Sequence, residues 1–433
     1  MTPTVAGILG IVAMLLLIFW GTPIGLAMGA VGFVGFALMN GLDPAFSILG
    51  LSPYSSVASY TLTVLPLFIL MGQFAGMSGL SRDLYETANR WIGHRRGGLA
   101  MANVVACGGF AAVCGSSLAT SATMTVVALP EMLRHGYAPR LATGSIAAGG
   151  TLGILIPPSV MFLIYGFLTE QSIGKLFLAG IVPGVILVAL YALTISLVTW
   201  RNPALAPAVP RVPFRERVTA LYRVLPMLGL FLLVIGGMYV GVFTATEAAA
   251  VGAAGAFLLA LARQSLTWRQ FVQALVDTVH TSAALFSILI GAIILGYFLA
   301  ITQLPMTLAA TIGGLPLSAN AIMALIILLY LILGAFMDEL AMVLLTVPIF
   351  FPVSQTLGFD PIWFGVIIVV VCEAGMIAPP VGINVFVLAS MTKDIPMKDI
   401  YLGILPFLWA DVVLLILLMA FPDLALFLPR LMK

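Results

Sequence analysis

Few side chains in this sequence can do chemistry, and most of those few stand inside long apolar runs. Asp338, Glu339, Glu373 and Asp411 each interrupt stretches dominated by Leu, Val, Ala and Phe. If those runs lie in lipid, a carboxylate there costs roughly 2.5–3.5 kcal/mol on insertion scales, which makes it a functional candidate by default. Asp338 is the foremost of them, whereas Glu339 and Glu373 are equally readable as structural partners, and Asp411 has no evident partner in the sequence. His94, His135 and His280 fall at the ends of apolar runs, which argues against a proton relay. Cys107, Cys114 and Cys372 have neither metal-ligand nor disulfide spacing and read as small buried hydrophobes. What remains is oxygen, from hydroxyls, an amide, carboxylates and backbone carbonyls. Such donors serve a hard cation such as sodium. Free N–H groups at the start of a helix serve an anion.

The backbone is freed at two matching places. GGTLGILIPPSVMFLIYG surrounds Pro157 and EAGMIAPPVGINVFVLAS surrounds Pro379. Gly136, Pro139, Gly153, Pro157 and Pro158 recur, each shifted by the same interval, as Gly358, Pro361, Gly375, Pro379 and Pro380. After a slip of one residue, GIVP ending at Pro183 returns as GILP ending at Pro406. A single Pro-Pro kink is common enough in membrane helices, but a duplicated break in corresponding positions points to a secondary transporter and to its binding site.

Composition sets the solvent. The chain has 433 residues, 62% hydrophobic and 8% charged, against about a quarter charged in soluble domains. Its apolar runs are unalternated and about 20 residues long, which predicts an all-α polytopic membrane protein and excludes a β-barrel of short alternating strands. The first twenty residues lack a basic leader and a cleavage site and read as a first span. A net charge of +2 says little about partners, and no nucleic-acid-binding feature is present.

Basic residues orient such a chain because they collect on the cytoplasmic side of short loops. They form five groups: Arg82, Arg90, Arg95 and Arg96; Arg134 and Arg140; Arg201, Arg211, Arg215, Arg217 and Arg223; Arg263 and Arg269; Lys393 and Lys398. Lys175, Arg430 and Lys433 are left for the other face. The first two groups flank one apolar stretch, Gly97 to Leu133, which at about 35 residues is too long for one span and must return to its own side. A re-entrant hairpin turning at Gly115–Ser117 satisfies both constraints. A second hairpin is expected within 318–357, its flanks near Gly313–Pro316 and Gly358–Pro361 free of basic residues. Each half then reads as three spans, a hairpin and two spans, and the halves have opposite orientation: an inverted repeat. The expected organisation is 1–80 (first scaffold spans), 97–168 (first hairpin and broken helix), 169–200 (the last span of the first half), 201–224 (cytoplasmic linker), 225–302 (second scaffold spans), 318–391 (second hairpin and broken helix) and 392–433 (last span and C-terminus).

Aligning GSSLATSATMTVVALP with LGAFMDELAMVLLTVP places Thr120 opposite Asp338. Two hairpin tips and two breaks are thereby expected at one midplane site. Ser116, Ser117, Thr120, Gly150, Thr151 and Gly153 are the candidate ligands of one cation, and Met337, Asp338, Gly375, Ala378 and Asn384 those of another. An anionic substrate between them would meet Ser117, Thr151, Pro157, Ser159, Met337, Pro380 and Asn384. The competing role for any one of these hydroxyls is to tie helix to helix.

These strings resemble the large membrane subunit of tripartite ATP-independent periplasmic (TRAP) transporters, the DctM-like family. The resemblance covers essentially the whole chain, from GTPIGLAMG through LPLFILMGQFAGMSGL, GSSLATSATM, HGYAPRLATGSIAAGGTLGILIPPSVMFLIYG and GAFMDELAM to APPVGINVFVLAS and GILP. It implies an elevator-type fold related to divalent-anion sodium symporters, with hairpins and broken helices moving against a scaffold. It further implies sodium-coupled uptake of an organic acid, a small four-helix membrane partner, a periplasmic substrate-binding protein and residence in the bacterial cytoplasmic membrane. The family's site maps onto the GSS tip, Thr120, the Gly149–Ser159 break, the FMD tip and the Gly375–Asn384 break. Two positions depart from the pattern: many relatives carry Asp where Thr120 stands, and Glu339 replaces a commoner small residue.

Other readings are weaker on the residues. An ATP-driven permease would need a coupling helix in the linker, a membrane enzyme would need a triad, a metal cluster or paired acids at one depth, and a channel would not need alternating access. A standalone sodium- or proton-coupled organic anion symporter, working without a binding protein, is the closest alternative.

Overall fold

The structure is a computed structural model that describes residues 2–314 and 316–432. Met1, Leu315 in the flank of the second expected hairpin, and Lys433 at the end of the last expected segment lie outside them. The described residues form helices and turns with no β-strand. Seven of the helices are long and apolar enough to cross a bilayer, or eight when one bent pair counts as a span. The chain is a multi-pass membrane protein.

The first half begins with α1 (Pro3–Phe19), α2 (Ile24–Asn40), α3 (Leu42–Val57), α4 (Val64–Met77) and α5 (Leu80–Ile92). It continues with α6 (Gly98–Cys114), α7 (Ser117–Arg134), α8 (Pro139–Leu155), α9 (Val160–Thr169) and α10 (Ile173–Arg201). The second half has α11 (Phe214–Phe231), which passes through a π-helical turn into α12 (Gly237–Tyr239), then α13 (Ala245–Ala262), α14 (Trp268–Thr302) and α15 (Leu304–Gly313). It closes with α16 (Ala319–Gly334), α17 (Glu339–Thr356), α18 (Pro361–Ile377), α19 (Ile383–Met391), α20 (Met397–Ala420) and α21 (Asp423–Leu431). Both ends of α7 and of α8 recur 222 residues later as the ends of α17 and α18, so the counterpart of Asp338 is Ser116, the residue before α7, and not Thr120 as the sequence alignment of the tips suggested.

Several elements differ from the sequence expectation. Residues 42–57 form a helix with Pro53 near its end, and the chain bends by 57° before α4; proline and serines there diluted the apolar signal. Arg82 and Arg90 of the first basic group lie on α5, a short amphipathic helix that buries Leu80, Leu84, Tyr85 and Thr87 and leaves Arg82 to solvent, while Arg95 and Arg96 follow its end. Its Thr87 Oγ1 and Trp91 Nε1 donate to the carbonyls of Ala220 and Arg217, each at 3.1 Å, and Asp83 pairs with Arg263. The irregular part of the linker is shorter than 201–224, because α11 starts at Phe214. The last span stops at Ala420, and α21 is a separate amphipathic helix with Pro429 inside it.

Two helix pairs anchor the first spans of each half to those of the other: α2 lies on α14, and α4 on α13. The α2–α14 crossing is made by glycine. A Cβ at Gly25 would come within 2.5 Å of the Ser287 carbonyl oxygen, and one at Gly32 within 2.6 Å of the Leu295 nitrogen. Lipid offers no hydrophobic drive between helices, so this close backbone packing is what holds them. Gly32→Val should therefore overpack the crossing and cost about 1–3 kcal/mol. Gly50→Ala, placed where nothing lies within 4 Å, should leave stability unchanged or higher. Thermal unfolding of the purified variants checks both.

Candidate functional site

The first tip is the turn between α6 and α7. Gly115 ends α6 with φ +67°, and a Cβ there would sit 2.6 Å from the Pro158 carbonyl oxygen, so both its conformation and its contact require glycine. Ser116 caps α7: its Oγ accepts from the Ala119 N–H at 3.4 Å. Its carbonyl accepts from Thr120 Oγ1 at 2.8 Å. A Cβ at Gly153 of α8 would lie 2.5 Å from that same carbonyl oxygen and 2.9 Å from Thr120 Oγ1. Gly150 packs in the same way on Ser121. Ser116, Thr120, Gly150 and Gly153 are thus brought together.

The first break follows α8. Pro157–Pro158 is a cis peptide, and Ser159 caps α9, accepting from the Phe162 N–H at 3.3 Å while donating to the Ile154 carbonyl. Pro157 and Ser159 are buried. At the second break Pro379–Pro380 is likewise cis, Ala378 is extended, and Gly382 has φ +60°. This break is the more open of the two: Pro379 and Pro380 are exposed, and the Tyr401 hydroxyl lies 2.7 Å from the Pro380 carbonyl oxygen.

The second tip joins α16 to α17. Asp338 caps α17 by accepting from the Leu340 N–H at 3.1 Å, with Met337 before it and Glu339 as the first residue of the helix. A Cβ at Gly375 of α18 would come within 2.7 Å of Gly334 Cα, so the close approach of Gly153 to the first tip is repeated at the second. Met337, Asp338, Gly375 and Ala378 therefore group around this tip and the break beside it.

Two candidates sit elsewhere. Asn384 crosses to the first tip, where its Nδ2 donates to Ser117 Oγ at 2.7 Å and approaches the Ala147 carbonyl oxygen at 3.4 Å. Thr151 is turned toward α18 and α10: its Oγ1 donates to Glu373 at 2.7 Å and stands 3.4 Å from the Tyr191 hydroxyl. Tyr191 donates to Asp411 at 2.6 Å, and that supplies the partner the sequence did not reveal. Glu373, Tyr191 and Asp411 are fully buried.

A cavity of about 520 Å³ lies between the tips and the helices α4 and α14. Ser116, Asp338 and Glu339 line it from the tips, Gln73 from α4, Thr123 from α7 and Thr281 from α14; no Lys, Arg or His does. Gln73 and Thr281 escaped the sequence reading. Their only signal is a polar residue in an apolar run, which marks a lined cavity only once the run's neighbours are known. Among the described residues no three His, Cys, Asp or Glu side chains cluster as metal ligands, so any ion held here is held by oxygens of mixed origin.

This architecture is that of a membrane transporter. The chain superimposes on the Alcanivorax borkumensis YdaH transporter with a TM-score of 0.65 at 17% identity, covering 95% of this chain and 98% of that one. In sequence it is 38% identical over 401 residues to the C4-dicarboxylate TRAP transporter large permease protein DctM of Pseudomonas aeruginosa, covering 90% of this chain and 93% of the relative. It is 33% identical over 420 residues to the sialic acid TRAP transporter large permease protein SiaM of Vibrio cholerae, covering 96% of each. Residues 11–424 match the family described as "Tripartite ATP-independent periplasmic transporter, DctM component". The chain belongs to that family.

The Tyr191–Asp411 bond predicts a coupled pair. Tyr191→Phe leaves a buried carboxylate without its donor and should cost about 1–3 kcal/mol. Adding Asp411→Leu should recover part of that loss, so the double variant falls short of the sum of the single ones. Thermal unfolding of the four proteins measures the coupling.

Proposed function

We propose that this chain is the permease subunit of a secondary active uptake system that carries an organic acid inward with sodium. The observation that carries the reading is the cavity between two duplicated tips, into whose mainly apolar wall Gln73, Ser116, Thr123, Thr281, Asp338 and Glu339 bring oxygen, with no basic side chain among its described lining residues. An anion there has no Lys or Arg to meet. It binds the N–H groups at the starts of α7, α9, α17 and α19, together with cations held beside the tips. Ser117, Thr151, Pro157, Ser159, Met337, Pro380 and Asn384, expected from the sequence as the substrate surface, lie around the tips and breaks but outside the lining of this cavity, whose polar side chains are Gln73, Ser116, Thr123, Thr281, Asp338 and Glu339. Ser116, Ser117, Thr120, Gly150, Thr151 and Gly153 serve one sodium ion, with Asn384 on their side through Ser117, and Met337, Asp338, Gly375 and Ala378 serve the other. Thr151 and Asn384 take part through the groups they join, Glu373 and Ser117.

In this reading the turns at Ser116 and Asp338 are tips of re-entrant hairpins entering from opposite faces, and the two halves form an inverted repeat. The duplicated glycine contacts and the duplicated Pro-Pro breaks support it. Residues 97–168 and 318–391 move as a transport unit against 1–80 and 225–302 in an elevator step. Relatives named for a C4-dicarboxylate and for sialic acid support an organic acid as cargo. A periplasmic binding protein delivers it and a small four-helix membrane subunit widens the scaffold, in a bacterial cytoplasmic membrane.

Reconstituted with these partners in sealed vesicles, the chain should take up its acid on a sodium gradient without ATP. Uptake that requires ATP would end the reading, and uptake independent of the binding protein would favour a standalone symporter. Asp338→Asn should raise the sodium concentration for half-maximal uptake about tenfold or more with little loss of folding stability, since it removes one charged ligand. Ser116→Ala and Ser117→Ala should shift it in the same direction. Wild-type sodium dependence in all three would refute the assigned roles.

A further inference from the structure

Glu339 breaks the likeness between the two tips. It is the first residue of α17, as Ser117 is the first residue of α7. At the first tip α19 packs on α7, and its second residue, Asn384, donates to Ser117 Oγ at 2.7 Å. At the second tip α9 packs on α17 in the same manner, but its second residue is Met161, which is fully buried and offers nothing to a carboxylate. Glu339 is 8% exposed and its Oε2 has no hydrogen-bond partner. It lines the cavity between the tips, where its neighbour Asp338 is a second carboxylate and no basic side chain answers either of them.

A buried carboxylate with an unpartnered oxygen, on a residue that lines a cavity, calls for a positive partner, and none of the described lining residues is basic. The first tip has the opposite lack. Thr120 is a neutral residue whose hydroxyl is engaged by the Ser116 carbonyl. We propose that Glu339 is a sodium ligand at the second tip, binding the ion on its cavity side and supplying there the negative charge that Thr120 does not supply at the first. The proposal rests on the sodium-coupled reading above and adds a ligand to it. Carboxylate oxygen is a suitable donor for a hard monovalent ion. The start of α17 favours anionic side chains at Asp338 and Glu339. Ion binding then removes the charge that would repel an organic anion entering the same cavity.

The test uses the purified full-length chain, whose thermal unfolding is followed as NaCl replaces KCl at constant ionic strength. The wild-type chain should be stabilised by sodium and not by potassium. Glu339→Gln, close in shape and without charge, should raise the sodium midpoint about tenfold or more, equivalent to about 1.4 kcal/mol. Thr120→Ala should shift it less. Should Glu339→Gln fail to fold, Glu339→Asp keeps the charge but withdraws it by one methylene, and it too should raise the midpoint. An unchanged midpoint in whichever of these variants folds overturns the proposal while leaving sodium coupling intact. A wild-type chain indifferent to sodium overturns the sodium reading itself, and this inference with it.

Discussion

A helix cannot be broken in hydrocarbon unless the freed backbone groups are covered by protein or open on a wet cavity. That constraint governs this molecule. Each break lies beside a tip, and the two approach so closely that glycine is the residue that fits: Gly153 against the Ser116 carbonyl, Gly375 against Gly334. The irregular backbone at one element is thereby shielded by the irregular backbone of another. Neither a tip nor a break would be tolerable alone, which is why they occur in pairs.

From this interlock follows the distribution of polarity. The tips and breaks bring oxygen atoms to a cavity without basic side chains. Deeper in the same bundle, Thr151 with Glu373 and Tyr191 with Asp411 join α8, α18, α10 and α20 through hydrogen bonds rather than ion pairs. Charged groups that make ion pairs are kept at the margins, as in Arg263 with Asp83 and Arg223 with Glu86.

The two halves are alike in plan and unlike in detail. The chain bends between α3 and α4 while α14 runs unbroken, and the second break is exposed where the first is buried. Thr151 and Glu373, which occupy equivalent places in the two halves, bond directly to each other, as equivalent residues do where two related units meet. Similarity of plan sets a tip beside a break in each half, and the departures leave Asp338 and Glu339 at the second tip where Ser116 and Ser117 stand at the first.

The sequence by itself determined the solvent, the helical class, the duplicated breaks and the position of the turns at Ser116 and Asp338, because these depend on local properties: runs of apolar residues, and glycine and proline at set intervals. It also carried the family likeness across the whole chain. It did not determine α3 or α5, whose polar and proline content dilutes the local signal, nor the separation of α21 from the last span. Only the tertiary structure assigned partners. Asn384 serves the tip opposite to the one its sequence grouping suggested, Thr151 reaches Glu373, Asp411 finds Tyr191, Gln73 and Thr281 come to line a cavity, and Glu339 is left without a counterpart. Hydrogen bonds between helices far apart in the chain depend on how those helices cross, and no local pattern of residues records a crossing.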